Sequence, residues 1–211
     1  YTSSSIFGSQ LRLWSNDNYG SDLIINPRGG PIYYWNATYG LTPTDVTVTV
    51  ASPAVLTASV VLLDGDAITL TTTGALPTGI TAGTTYYAYQ VDGLTFKLIT
   101  AAGAVVNTSG VQSGTQSITL VDVPTAQDVL TVSDTSRFVI AMGCNDYGSA
   151  VQDPMLIRWS NQDDIYNWTP DATNQAGSVR LSHGTQIVTS VQTRQEIFVI
   201  TDSSAYSLQY L

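Results

Sequence analysis

Charge is scarce in this sequence. Its 211 residues include one lysine (Lys97), one glutamate (Glu196), one histidine (His183) and one cysteine (Cys144). Charged residues make up 11%, against about 25% in ordinary soluble domains. Helical surfaces lean on Glu and Lys, so their near absence argues against a helical protein. A lone cysteine excludes an internal disulfide and says nothing firm about compartment. No run approaches the ~18 apolar residues of a bilayer-crossing helix, so no membrane-spanning segment is expected. Nor is there a charged-then-apolar leader at the start. With net charge −9 and a pI near 4.1, the chain repels phosphate, which excludes a stable grip on nucleic acid.

What is present is β-forming. Hydrophobic residues make up 43%, enough for a globular core, and Thr, Ser, Asn and Gln take the place of charge on the surface. They are unevenly spread. Residues 44–120 hold 17 threonines, no Trp and no Arg. All four tryptophans (Trp14, Trp35, Trp159, Trp168) and all six arginines lie outside. Turn-rich joints, Leu41-Thr-Pro-Thr-Asp45 and Val121-Asp-Val-Pro124, mark the same borders. The organisation expected is a discontinuous body, 1–43 and 122–211, interrupted by a small β-sandwich over 44–121. The chain starts at Tyr1 and stops at Leu211 inside a strand-like run, which reads as a fragment of something larger.

Strand signals recur throughout. Val46–Val50 and Ala67–Thr73 alternate as half-buried strands do. Thr84–Val91 and Leu94–Thr100 are set to pair across Asp92-Gly93, a two-residue hairpin linker with both residues at positive φ. Gln116–Leu120 closes that set. Outside it, Asp22–Asn26 turns at Pro27–Gly30 into Ile32–Trp35. Arg137–Met142 leads through the loop 144–153 to Met155–Trp159, and Glu196–Thr201 turns into Ala205–Leu211. The unbroken apolar runs Phe138–Met142 and Ile197–Ile200 suggest strands covered on both faces. Leu11–Asn16 resembles Leu156–Asn161, each read as a strand ending in Trp-Ser-Asn, and Asn16–Ser21 echoes Asn145–Ser149. Repeated hairpins of this kind suggest propeller blades. The fold class expected is all-β, a propeller-like hairpin body with an inserted module.

Few residues invite chemistry. His183 with Cys144 or a serine has the composition of a nucleophile–base pair, but no nucleophile elbow accompanies it. Asp163, Asp164 and Asp153 are the carboxylates a glycosidase would need, yet neighbours in a strand point to opposite faces. Asn16, Asp17, Asn18, Gly20 and Asp22 offer oxygen ligands, without the EF-hand spacing or its terminal Glu. Asn36, Asn107 and Asn167 begin glycosylation sequons at near the chance level. Tyr86, Tyr87 and Tyr89 raise sugar stacking, with Tyr87 and Tyr89 on one face and Tyr86 on the other. No catalytic, cofactor or metal residue is assigned, and an enzyme is not expected.

Two stretches carry a resemblance. Trp14–Trp35 is one. The other runs from Arg137 through Asp153-Pro-Met-Leu-Ile-Arg-Trp-Ser-Asn-Gln-Asp-Asp-Ile-Tyr-Asn-Trp-Thr-Pro170 and Ala176–Leu181 to Phe198. Both resemble phage tail nozzle proteins, also called tail tubular protein B. Gly65–Leu70, Ala75–Tyr87 and Leu94–Leu98 are similar to small Ig-like β-modules inserted into phage structural proteins. The resemblance implies a virion component of a short tail. Copies of it would form a ring, hexameric by the resemblance, around the channel through which DNA leaves. Its neighbours would be tail proteins on the adaptor or portal side and the tail fibres. An acidic duct suits this, since carboxylates do not hold a phosphate cargo. The alternative is a binding module in which residues 44–121 recognise a host-surface glycan or another tail protein.

Overall fold

The computed structural model describes residues 13–36, 40–41, 45–58, 60–194 and 196–210, and among them every regular element is a strand. The first sheet is an antiparallel meander of β1 (Trp14–Tyr19), β2 (Asp22–Pro27), β3 (Tyr33–Asn36) and β4 (Gly40–Leu41). Tyr19 pairs with Asp22 across Gly20-Ser21. Gly20 stands at φ +66°, as a two-residue turn with glycine first requires.

The next six strands are β5 (Asp45–Val48), β6 (Leu56–Ala58), β7 (Ala67–Thr72), β8 (Thr85–Asp92), β9 (Thr95–Ile99) and β10 (Gln116–Leu120). They form a closed barrel in the order β10-β5-β6-β9-β8-β7. A sandwich is the expectation for this segment; the barrel closes because β10 pairs with both β7 and β5, Gln116 facing Thr72 on one side and Val46 on the other. Closure removes the open edges a sandwich would leave. Val46, Leu56, Ile68, Leu70, Tyr86, Phe96, Leu98 and Ile118 fill the interior. The alternating threonines, such as Thr47, Thr57 and Thr71, lie outside.

The Asp92-Gly93 turn is displaced by one residue from its expected place. Asp92 pairs with Thr95, so the loop is Gly93-Leu94, and only the glycine has positive φ. A bulge between Tyr89 and Asp92, with Gln90 at φ +49°, causes the shift. Asp64 Oδ1 accepts the bulge's freed Val91 N–H at 2.8 Å.

After the barrel, β11 (Val129–Val132), β12 (Val139–Met142), β13 (Leu156–Trp159) and β14 (Gly177–Arg180) make the middle sheet. β15 (Ile187–Gln192), β16 (Ile197–Thr201) and β17 (Ala205–Leu208) make the last sheet. The middle sheet is packed on both faces. Val139 and Ala141 join Ile24 and Trp168 in one core, while Ile140 and Met142 join Ile187, Ile197 and Val199 in another. The unbroken apolar run of β12 is thus covered on both sides. β16 differs: Ile197 and Val199 face inward, but Phe198 and Ile200 are 38% and 37% exposed.

Polar latches tie the first sheet to the middle one. Asp17 Oδ2 accepts from Val132 N at 2.8 Å and from Thr131 Oγ1 at 3.1 Å. Fully buried Asn26 and Gln127 join side chain to side chain at 2.5 Å. The Trp-Ser-Asn likeness is not a structural repeat. Trp14 opens β1 and is exposed, whereas Trp159 closes β13; Leu11 and Arg12 lie outside the described residues.

Candidate functional site

Barrel and sheets meet at a junction built on the turn that follows β13. Tyr166, in that turn, packs against the barrel core, and Tyr34 of β3 meets its ring edge-on, centroids 5.9 Å apart. Beside them, Asp66, just before β7, is 1% exposed and Asp164 is 7% exposed. Asp66 Oδ2 accepts the Leu63 N–H at 2.8 Å, and Asp164 Oδ1 accepts the Tyr166 N–H at 3.0 Å. No hydrogen-bond donor reaches Asp66 Oδ1, and the neighbouring acid whose charge acts on it most is Asp164. Two carboxylates sharing a buried site repel each other, which favours the protonated form of one of them. Burial first, then the charge of Asp164, pushes Asp66 up to about 8. Asp164 is raised as well, again by burial. Desolvation also raises the Tyr166 phenol, with Tyr34, Asp66, Asp22 and Asp164 adding to it.

A buried cation stands close by in the chain. Arg158 of β13 is 1% exposed. Its guanidinium donates to the Asn145 carbonyl at 3.0 Å and to the Asp122 carbonyl, and lies 3.8 Å from the centroid of Tyr147. It is held by carbonyl dipoles and a ring face where the chain leaves the barrel.

The residues weighed for chemistry do not converge. Cys144 is fully buried between the first and middle sheets, its Sγ donating to the Leu156 carbonyl at 3.6 Å. Burial pushes the thiol up to about 12. His183 is exposed, with Nδ1 2.9 Å from Ser182 Oγ and its amide donating to Tyr206 Oη. Asp163 is exposed and ion-paired with Arg137, while its neighbour Asp164 is turned into the junction. Asp153 pairs with Arg180 at 2.7 Å; although partial burial opposes it, the Met155 amide and Arg180 hold its carboxyl below the usual range. Asn16, Asp17 and Asn18 sit in β1, where alternation sends them to different faces. No group of three or more His, Cys, Asp or Glu residues is placed to hold a metal among the described residues. Tyr86 is inside the barrel, its Oη accepting the Thr81 N–H, and Tyr87 and Tyr89 are half-buried on the outside. Of the sequon asparagines, Asn107 is exposed, Asn167 accepts from Asn174, and the side chain of Asn36 lies outside the described residues.

An open cavity of about 420 Å³ lies between the middle and last sheets. Phe138, Trp159 and Tyr210 contribute aromatic walls, and Gln175, Gln192 and Glu196 stand among its polar groups.

Asp66 and Arg158 are the residues sequence reading missed. An arginine inside the apolar run Met155–Trp159 is a readable sign of a buried cation. Asp66 offers no such sign, because its partner is distant in the chain. No protein-family model matches the chain, and comparison with curated proteins and with solved structures finds no match either.

Proposed function

We propose that this chain is a structural part of a phage tail, one piece of a ring-forming nozzle-type protein around the DNA-ejection channel. The observation that carries this reading is the sheet stack with two apolar ends. Trp14, Tyr33 and Trp35 are exposed on the first sheet, at 58%, 49% and 38%. On the last sheet, Val191, Phe198 and Ile200 are exposed together, with Val191 paired to Phe198. Large aromatic side chains left in water mark surfaces that another body covers. Antiparallel meanders stacked face to face are how propeller blades pack, and the barrel is an insert between two such blades. The reading is non-catalytic. The low count of lysine and arginine suits a lumen past which DNA must slide.

Imaging of assembled particles with this chain tagged tests it. Several copies around an axis enclosing a lumen are expected; a chain found only as a free monomer, never with particles, overturns it. A second reading rests on Tyr87 and Tyr89, which share the outer barrel surface beside Lys97. There the barrel binds a host-surface glycan or another tail protein, and Tyr87→Ala with Tyr89→Ala abolishes that binding.

A further inference from the structure

The cavity between the middle and last sheets has the chemistry of a sugar site, away from the barrel. Its volume, about 420 Å³, falls in the range of small-ligand pockets, roughly 300–1,000 Å³. Three aromatic side chains line it. Trp159 is fixed in place: its Nε1 donates to the Gln175 carbonyl at 2.7 Å. Its ring also lies against Gly177, where an added Cβ would fall 2.6 Å from Cζ2. The Tyr210 ring packs 5.2 Å from that of Phe138, and its Oη accepts from Gln175 Nε2 at 2.9 Å. These walls are formed before any ligand arrives, which lowers the ordering cost of binding.

The polar groups select the ligand. Glu196 is held by Ser207 and by Gln209, whose Nε2 donates at 2.8 Å. Gln192 lines the same space. Amides and a carboxylate offer both donors and acceptors to hydroxyl groups, while aromatic faces suit the C–H faces of a pyranose ring. No Lys or Arg lines the cavity among the described residues, and its one carboxylate repels anions. We infer that this cavity binds an uncharged saccharide unit, with Trp159 and Tyr210 as stacking surfaces and Gln192 and Glu196 as hydroxyl partners. The inference does not rest on the tail reading and stands or falls separately from it.

The test uses the full chain with glucose, galactose and N-acetylglucosamine, their short oligomers, and glucuronate as the charged control. Tryptophan fluorescence and calorimetry read the binding. At least one neutral sugar is expected to bind, more tightly than glucuronate. Gln192→Ala, a part-exposed substitution that leaves the cores intact, should weaken binding roughly tenfold, the cost of about one hydrogen bond. Tyr210→Ala should weaken it further, whereas Tyr87→Ala with Tyr89→Ala on the barrel should not change it. Saturation by an oligomer but not a monomer assigns a glycan chain; equal binding of both assigns a single unit. No neutral-sugar binding up to ~10 mM, equal binding of glucuronate, or loss of binding on the barrel substitutions alone would overturn the inference.

Discussion

Replacing Asp66 by Asn is expected to flatten the fall in stability that a raised Asp66 pKa implies for the wild-type chain between about pH 5 and pH 8. An unfolded aspartate titrates near ~3.9, and in the folded junction Asp66 holds its proton up to about 8. Between those values the folded state binds the extra proton. Stability from this site is therefore complete below the unfolded value and falls as pH rises through the folded one. The slope is about 1.4 kcal/mol per pH unit, so three units remove on the order of 4 kcal/mol. For a chain of this size that is roughly a 10 °C fall in Tm. Asp153, Asp171, Asp202 and Glu196 are instead held below their ordinary values and lose their contribution only at more acid pH, whereas Asp164 is raised and shifts in the same direction as Asp66. In Asp66→Asn the side chain is a neutral amide and cannot titrate. Calorimetric melts at pH 5, 6, 7 and 8, with both proteins run side by side, read the difference. A wild-type Tm that holds or rises over this range, or an Asn variant with the same slope as wild type, refutes a proton held on Asp66.

Arg158→Leu should destabilise the chain by about 2–4 kcal/mol in denaturant melts, because the carbonyls of Asn145 and Asp122 lose their donors in a buried place. Gly177→Ala should cost about 1–3 kcal/mol through overpacking on Trp159 and shift tryptophan emission. Cys144, with its thiol pushed up to about 12 by burial, should resist iodoacetamide at pH 8 in the folded chain and react fully in denaturant; rapid labelling of the native protein would contradict its placement.

Strand content was legible because alternation is local. Each half-buried strand from β5 to β10 shows its period in its own few residues, and the threonines that face water stand between the aliphatic residues that face inward. Closure was not legible, since it depends on Gln116 meeting both Val46 and Thr72, residues far apart in the chain. The displaced Asp92-Gly93 turn shows the same limit. Its dipeptide is a sound local signal, but the bulge at Gln90 and its distant partner Asp64 decide the register. At the junction, the burial of Tyr166 and Asp164 depends on the barrel beside them, and nothing in their own few residues announces it.

The barrel's attachment explains why so large a segment can sit between two packed sheets without separating them. β5 and β10, its first and last strands, pair with each other, Asp45 opposite Ser117, with the serine hydroxyl 3.0 Å from the carboxylate. The chain therefore enters and leaves the barrel side by side, a geometry that lets a closed unit be accommodated at a surface point. The first and middle sheets keep their own contacts through Asp17, Asn26 and Gln127. Two adjacent strand ends alone would leave the barrel free to pivot. Tyr166 packed against its core, the buried pair of acids Asp66 and Asp164, and the Arg158 clamp on Asp122 lie at separate points where barrel and body meet. The orientation of the barrel is thus set by the body rather than by the connecting chain, and loss of the Asp66 proton as pH rises is expected to weaken that contact.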